Sequence, residues 1–173
     1  FTKPLELRQC SFERIYFSRG NDPLIYSQRK RLGANLAPRI MNVLGEDIDR
    51  SFFSYIPNTA ETCFLGLLEA VGSALRSIEA DTIWDKIQDG SVTREDLSAL
   101  NHTRVKAELI AHKDQRLRTF ITHDAARRDL VTHIYDITRG LINRDDTLVV
   151  VDDSIVRGTT LRESIITSLS QLR

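Results

Sequence analysis

Cysteine is scarce in this chain, with only Cys10 and Cys63 among 173 residues. Two thiols are too few for the disulfide framework of a small secreted domain, and no C-x-x-C pair offers the spacing of a zinc site. Both therefore read first as free thiols. The histidines, His102, His112, His123 and His133, form no i, i+4 pair that would set two imidazoles on one helix face for a metal. Net charge is also missing: 24 Lys+Arg stand against 24 Asp+Glu, so no general electrostatic attraction draws the chain to nucleic acid or to an anionic membrane. No apolar run reaches the roughly 18–20 residues a bilayer span requires, and no charged-then-apolar leader opens the chain. The expected location is the cytoplasm. Neither G-x-x-x-x-G-K-[ST] nor G-x-G-x-x-G occurs, which argues against a P-loop nucleotide triphosphatase and a dinucleotide dehydrogenase.

What is present suits one folded unit. Apolar residues make up 41% and charged residues 28%, outside the disordered and fibrous classes. A chain of this length buries roughly 70% of its unfolded surface. The sequence opens at Phe1 and stops at Arg173 inside an apolar-periodic stretch with no stop signal, so a fragment of a longer protein, ending after the helix that follows the 149–160 motif, is expected.

Along the chain, Phe12–Phe17 is aromatic and β-branched and predicts a strand running into the Gly20–Pro23 turn. A helix is predicted next, capped by Ser27, with Leu32, Leu36, Ile40 and Leu44 at four-residue spacing on one face, a kink or break at Pro38 and an end at Gly45. The basic triplet Arg29, Lys30 and Arg31 reads as a solvated helix face. Phe52–Ile56 predicts a second strand and Pro57–Ala60 its terminal turn. From Glu61, the residues Phe64, Leu67, Leu68, Val71, Leu75 and Ile78 form one core-facing helical stripe. Asp81–Leu100 predicts two short helices broken at Asp89-Gly90, the second opened by a Thr93-x-x-Asp96 capping pattern. Arg116–Ile121 fits a strand or a loop edge, and Leu130–Leu141 a helix. Leu148–Val151 reads as the clearest buried strand in the chain, parallel and covered on both faces. The alternation predicts an α/β fold with a mostly parallel sheet flanked by helices.

The chemistry concentrates in Val149–Thr160, VVVDDSIVRGTT. It sits where a buried parallel strand ends, the position at which open α/β sheets bind ligands. Gly158 admits close backbone approach to a phosphate. Ser154, Thr159, Thr160 and the free N–H groups opening a Leu161–Leu172 helix supply donors to it. Asp152 and Asp153 would repel a bare phosphate; their natural partners are sugar hydroxyls or a Mg²⁺ ion neutralising a diphosphate. Together they suggest a phosphorylated sugar.

At these residues the chain resembles the type I phosphoribosyltransferases, and the run DDSIVRGTT is similar to that of the amidophosphoribosyltransferases in particular. Cys10-Ser11-Phe12-Glu13 with Ile15-Tyr16-Phe17-Ser18-Arg19 resembles the segment that opens their transferase domain. Tyr26, Arg29, Gly33, Leu36 and Ala37 match its next helix, and Arg118-Thr119-Phe120-Ile121 its RTFI motif. The resemblance runs from about Leu7 to the end. It implies a type I phosphoribosyltransferase fold over residues 1–173, interrupted by a helical insertion at 77–106.

The resemblance further implies formation of phosphoribosylamine from phosphoribosyl pyrophosphate and ammonia, the committing step of purine synthesis. Asp152, Asp153, Ser154, Arg157, Gly158, Thr159 and Thr160 would bind substrate; Thr59, Asp152 and Asp153 would face Mg²⁺; Lys113, Arg116 and Arg118 would close over the pyrophosphate. Ammonia would come from a glutaminase domain of the same parent chain, and a homo-oligomer is implied. Cys10 falls where some members carry the first ligand of an iron–sulfur cluster, but cluster-free members keep a Cys there too, and a packed thiol is favoured. Three departures stand out. Pro57-Asn58-Thr59-Ala60 replaces P-D-[ST]-[GS]. The usual K-N-R-Y-x-G becomes His112 to Leu117, without its glycine and with the cation moved by one residue or become His112. The third is the extra length between Gly72 and Ala111. An alternative therefore stands beside the enzyme: a relative that keeps the sugar-phosphate site for regulation and has lost transfer chemistry.

Overall fold

The computed structural model describes residue 6 and residues 13–99, 105–113, 135–153 and 166–170. It is a mixed α/β structure with a small parallel sheet and flanking helices. Three strands, β1 (Ser51–Tyr55), β2 (Lys106–Ala107) and β5 (Thr147–Val151), lie in the order β2-β1-β5, both pairings parallel. Phe52 pairs with Lys106 on one side and Leu148 on the other, and Tyr55 with Val151. The Ile56 N–H continues the ladder to the Val151 carbonyl at 2.9 Å. Two short strands, β3 (Ala111–Lys113) and β4 (Tyr135–Ile137), form a separate antiparallel pair.

The central strand β1 is the buried one: Ser51, Phe52, Phe53 and Ser54 are all buried. Its serines remain satisfied, since Ser51 Oγ donates to the Asp47 carbonyl at 2.8 Å and Ser54 Oγ accepts from the Ile110 N–H at 3.2 Å. By contrast β5 is an edge strand among the described residues, half-buried along its length except for buried Val151. The strand is parallel as the valine run predicts but less covered than expected, because apolar content alone does not set a strand's rank in the sheet.

Helix α1 (Pro23–Leu44) begins four residues before the expected cap. The Asp22 carboxylate accepts from the N–H groups of Leu24 at 2.8 Å and Ile25 at 3.0 Å, with Pro23 in the first turn. Ser27 is already helical, its hydroxyl donating to the Leu24 carbonyl. Gly45 ends the helix with φ +52°, and Pro38 lies inside without breaking it. The inner face carries Ile25, Gly33, Ala37 and Leu44, while Leu32 and Leu36 are turned out of the core.

Helix α2 (Glu61–Gln88) is a single 28-residue helix. The first expected piece of Asp81–Leu100 is its continuation, and position 77, where the insertion is expected to begin, lies within it. The break falls at Asp89-Gly90, with Gly90 at φ +76°, and α3 (Arg94–Ala99) follows with Thr93 and Asp96 capping reciprocally. Phe64, Leu67 and Val71 are buried as the stripe requires, but Ile78 is exposed because α2 has by then passed the core. The core joins Ala37 and Leu44 of α1, Phe53 of β1, Val151 of β5 and the α2 stripe.

Two further expectations are corrected. Glu13–Phe17 is a π-helical turn, not a strand. Its closing bond runs from the Ser18 N–H to the Glu13 carbonyl at 2.9 Å, so a local partner satisfies backbone that no strand among the described residues pairs with. Tyr135–Ile137, expected inside a Leu130–Leu141 helix, is strand β4, paired with Ala111–Lys113. A short apolar run carries no decisive period, and the available edge of β3 settles it as a strand. The expected Arg116–Ile121 element lies outside the described residues, as do most positions of the Leu161–Leu172 helix, of which Thr167–Ser170 is helical. Among the described residues no helix is long and apolar enough to cross a membrane.

Candidate functional site

Parallel strands β1 and β5 deliver their carboxyl ends to one place. Beyond β1 the chain turns through Pro57–Ala60 into α2, with a cis Pro57–Asn58 peptide bond; beyond β5 come Asp152 and Asp153. Between these exits is a cavity of about 200 Å³ whose wall includes Thr59, Asp152 and Asp153. Three residues from two separate motifs of the sequence are thereby gathered around one space, at the strand ends where the sheet leaves a crevice.

The rest of the lining is not marked as a site in the sequence. Helix α1 contributes Arg29, Leu32 and Leu36, the π-helical turn contributes Ile15, and α2 contributes Cys63. Leu32 and Leu36, two of the four residues expected on one face of α1, give this lining an apolar surface. The cavity lining therefore mixes two carboxylates, a hydroxyl and a guanidinium with apolar side chains. Burial, and secondarily the Asp153 carboxylate, push the Cys63 thiol pKa up, so Cys63 is held as a poor nucleophile.

Arg29 is not on a solvated face. Its Nε donates to the Arg14 carbonyl at 3.1 Å and its Nη2 to the carbonyls of Arg14, Ile15 and Ser18 at 3.0, 2.6 and 3.0 Å. Lys30 pairs with Glu69 of α2, and Arg31 is exposed. Successive helix positions point about 100° apart, so a run of three cations is divided among three environments. The signal that could have singled out Arg29 was its match to the resembled helix.

Lys113 ends β3 and is exposed; it does not line the cavity. His112 Nε2 lies 3.0 Å from Thr138 Oγ1, a contact within the second sheet. Arg116, Arg118, Ser154, Arg157, Gly158, Thr159, Thr160 and Cys10 lie outside the described residues.

No cluster of three His, Cys, Asp or Glu side chains that would hold a metal by itself occurs among the described residues. The donor set at the cavity nonetheless fits Mg²⁺, which favours oxygen and binds through one or two carboxylates with the rest of its shell from water and substrate phosphate. Asp152, Asp153 and Thr59 would hold it. Comparison with protein-family models, curated proteins and solved structures finds no match to this chain.

Proposed function

We propose that this chain is the phosphoribosyltransferase domain of an amidophosphoribosyltransferase, with a type I phosphoribosyltransferase fold, and that it binds phosphoribosyl pyrophosphate at the β1–β5 crevice. The observation that carries this reading is the convergence of Thr59, Asp152 and Asp153 on one cavity. A carboxylate accepts hydrogen bonds from ribose hydroxyls, and the DDSIVRGTT run that continues from the pair supplies phosphate donors. Bound Mg²⁺ would supply charge neutralisation for the departing pyrophosphate. The chain's own residues do the rest: Asp152 and Asp153 orient the sugar, Thr59 positions the pyrophosphate end, and the apolar wall of Leu32 and Leu36 keeps bulk water from the anomeric carbon.

One observation favours the alternative of a non-catalytic regulatory homologue. Ala60 is buried and presents a methyl group to the cavity where the resembled loop carries Gly or Ser, and Asn58 removes a carboxylate beside it. Calorimetry with phosphoribosyl pyrophosphate and Mg²⁺, followed by an ammonia-dependent turnover assay, separates the two. Binding with turnover establishes the enzyme, binding alone establishes the regulatory homologue, and no binding removes both.

A further inference from the structure

A second cavity, of about 390 Å³, shares Arg29 and Leu32 with the acidic one, but among the described residues no carboxylate lines it. The rest of its lining is Arg14, Gln28, Arg31 and Asn35. Gln28, Arg31, Leu32 and Asn35 stand at i, i+3, i+4 and i+7, so one stripe of α1 supplies four of the six residues. That stripe is turned away from Gly33 and Ala37, which α1 buries. None of Arg14, Gln28, Arg31 and Asn35 is among the positions matched to the resembled family, so the space lies outside the site that the resemblance implies.

The donors here are unequally engaged. Arg14 donates to the Gln28 carboxamide oxygen, which fixes the orientation of that amide and leaves its NH₂ as the end without a protein partner. Among the described residues, Arg31 and Asn35 have no hydrogen-bond or ion-pair partner. Arg29 donates only to backbone carbonyls, those of Arg14, Ile15 and Ser18, so its bonds hold the guanidinium in place without a carboxylate. An open guanidinium and two open amides, with further positive charge behind them and no acid in the lining, suit an anion. More than one cation beside the space favours a phosphate, at −1.5 to −2, over a carboxylate. The volume falls in the range of roughly 300–1,000 Å³ in which small organic ligands are held, beyond what a bare phosphate fills.

We propose that this cavity is a second ligand site, for a small phosphate monoester, with the phosphate on Arg31, Gln28 and Asn35 and the organic body against Leu32 and the hydrocarbon stems of the arginines. The inference does not depend on what the acidic cavity takes. Phenyl phosphate, a dianion on a flat body, is the probe, and leaving out Mg²⁺ keeps the proposed phosphoribosyl pyrophosphate site from competing through its metal. Calorimetry on the whole chain should show binding that Arg31→Gln weakens about tenfold or more, the effect of losing a charge-assisted contact, and that Asn35→Ala weakens by less. Arg39→Gln, one turn further along α1 and outside the lining, should leave the affinity unchanged. Both arginines are exposed, so neither change threatens the fold. Absence of binding, or binding that Arg31→Gln does not weaken, overturns the site. Equal losses in Arg31→Gln and Arg39→Gln would mean general charge attraction and overturn it too. Inorganic phosphate bound as tightly as phenyl phosphate overturns the organic body, and phenol bound as tightly overturns recognition of the phosphate.

Discussion

Asp153 acts on Cys63 through charge, and the coupling makes a prediction for each residue. The thiol pKa is raised first by burial and then by the Asp153 carboxylate. Asp153→Asn should therefore move the pH profile of Cys63 alkylation to lower pH while leaving part of the elevation, that due to burial, in place. A profile that does not move would separate the two groups. Asp96 offers the opposite sign. The Lys86 ammonium, followed by the N–H and hydroxyl of Thr93, holds its carboxyl at about 2 against an ordinary 3.8. Because the folded value lies below the unfolded one, the contribution of this carboxylate to anchoring α3 is complete above about pH 4. It is lost as the pH falls through about 2. Carboxyl titration by NMR should give that low midpoint, and Lys86→Met should bring it upward.

Among the elements, the crossing of α1 and α2 is the most demanding. A Cβ at Gly33 would sit 1.7 Å from the Cys63 carbonyl oxygen, and one at Gly66 1.9 Å from that of Lys30. These are backbone atoms, so no side-chain rotation relieves the clash and the helices would have to separate. Gly33→Ala or Gly66→Ala should each cost about 3 kcal/mol or more in urea denaturation, at the upper end of overpacking effects. Gly72→Ala serves as the control on the same helix, since its nearest neighbour is the flexible end of Arg76 at 3.3 Å. The same crossing sets Cys63 of α2 beside Leu32 and Leu36 of α1 in the cavity wall. Loosening it should therefore also perturb binding at the proposed site.

At the scale of the whole molecule, the sheet and the proposed ligand are linked thermodynamically. A ligand that bridges the ends of β1 and β5 binds only when those strands are paired, so its affinity adds to folding stability. At a hundredfold excess over its dissociation constant, phosphoribosyl pyrophosphate with Mg²⁺ should raise the unfolding free energy by about 2.7 kcal/mol. Asp152→Asn and Asp153→Asn should each weaken binding by about 1–3 kcal/mol and reduce that gain accordingly. Stabilisation of the wild type that both variants keep in full would place the ligand away from the acidic pair.

Local rules in the sequence were enough for what local physics governs. The turn at Pro57–Ala60, the glycine stop at Gly45, the break at Asp89-Gly90 and the Thr93–Asp96 cap each depend on a few adjacent residues. The stripe Phe64, Leu67 and Val71 follows from helical period alone. Tertiary structure decided the rest. Glu13–Phe17 closed on its own Ser18 N–H instead of pairing as a strand, and its Arg14 and Ile15 carbonyls are met by Arg29 of another element. Tyr135–Ile137 became one because Ala111–Lys113 offered an edge. The rank of β1 over β5 came from sheet order, which no run of valines encodes. The site divided in the same way: Asp152 and Asp153 stood out as carboxylates at a strand end, whereas Leu32, Leu36 and Cys63 joined them only through the Gly33–Gly66 crossing, because residues far apart in the chain share a cavity only once their helices have packed.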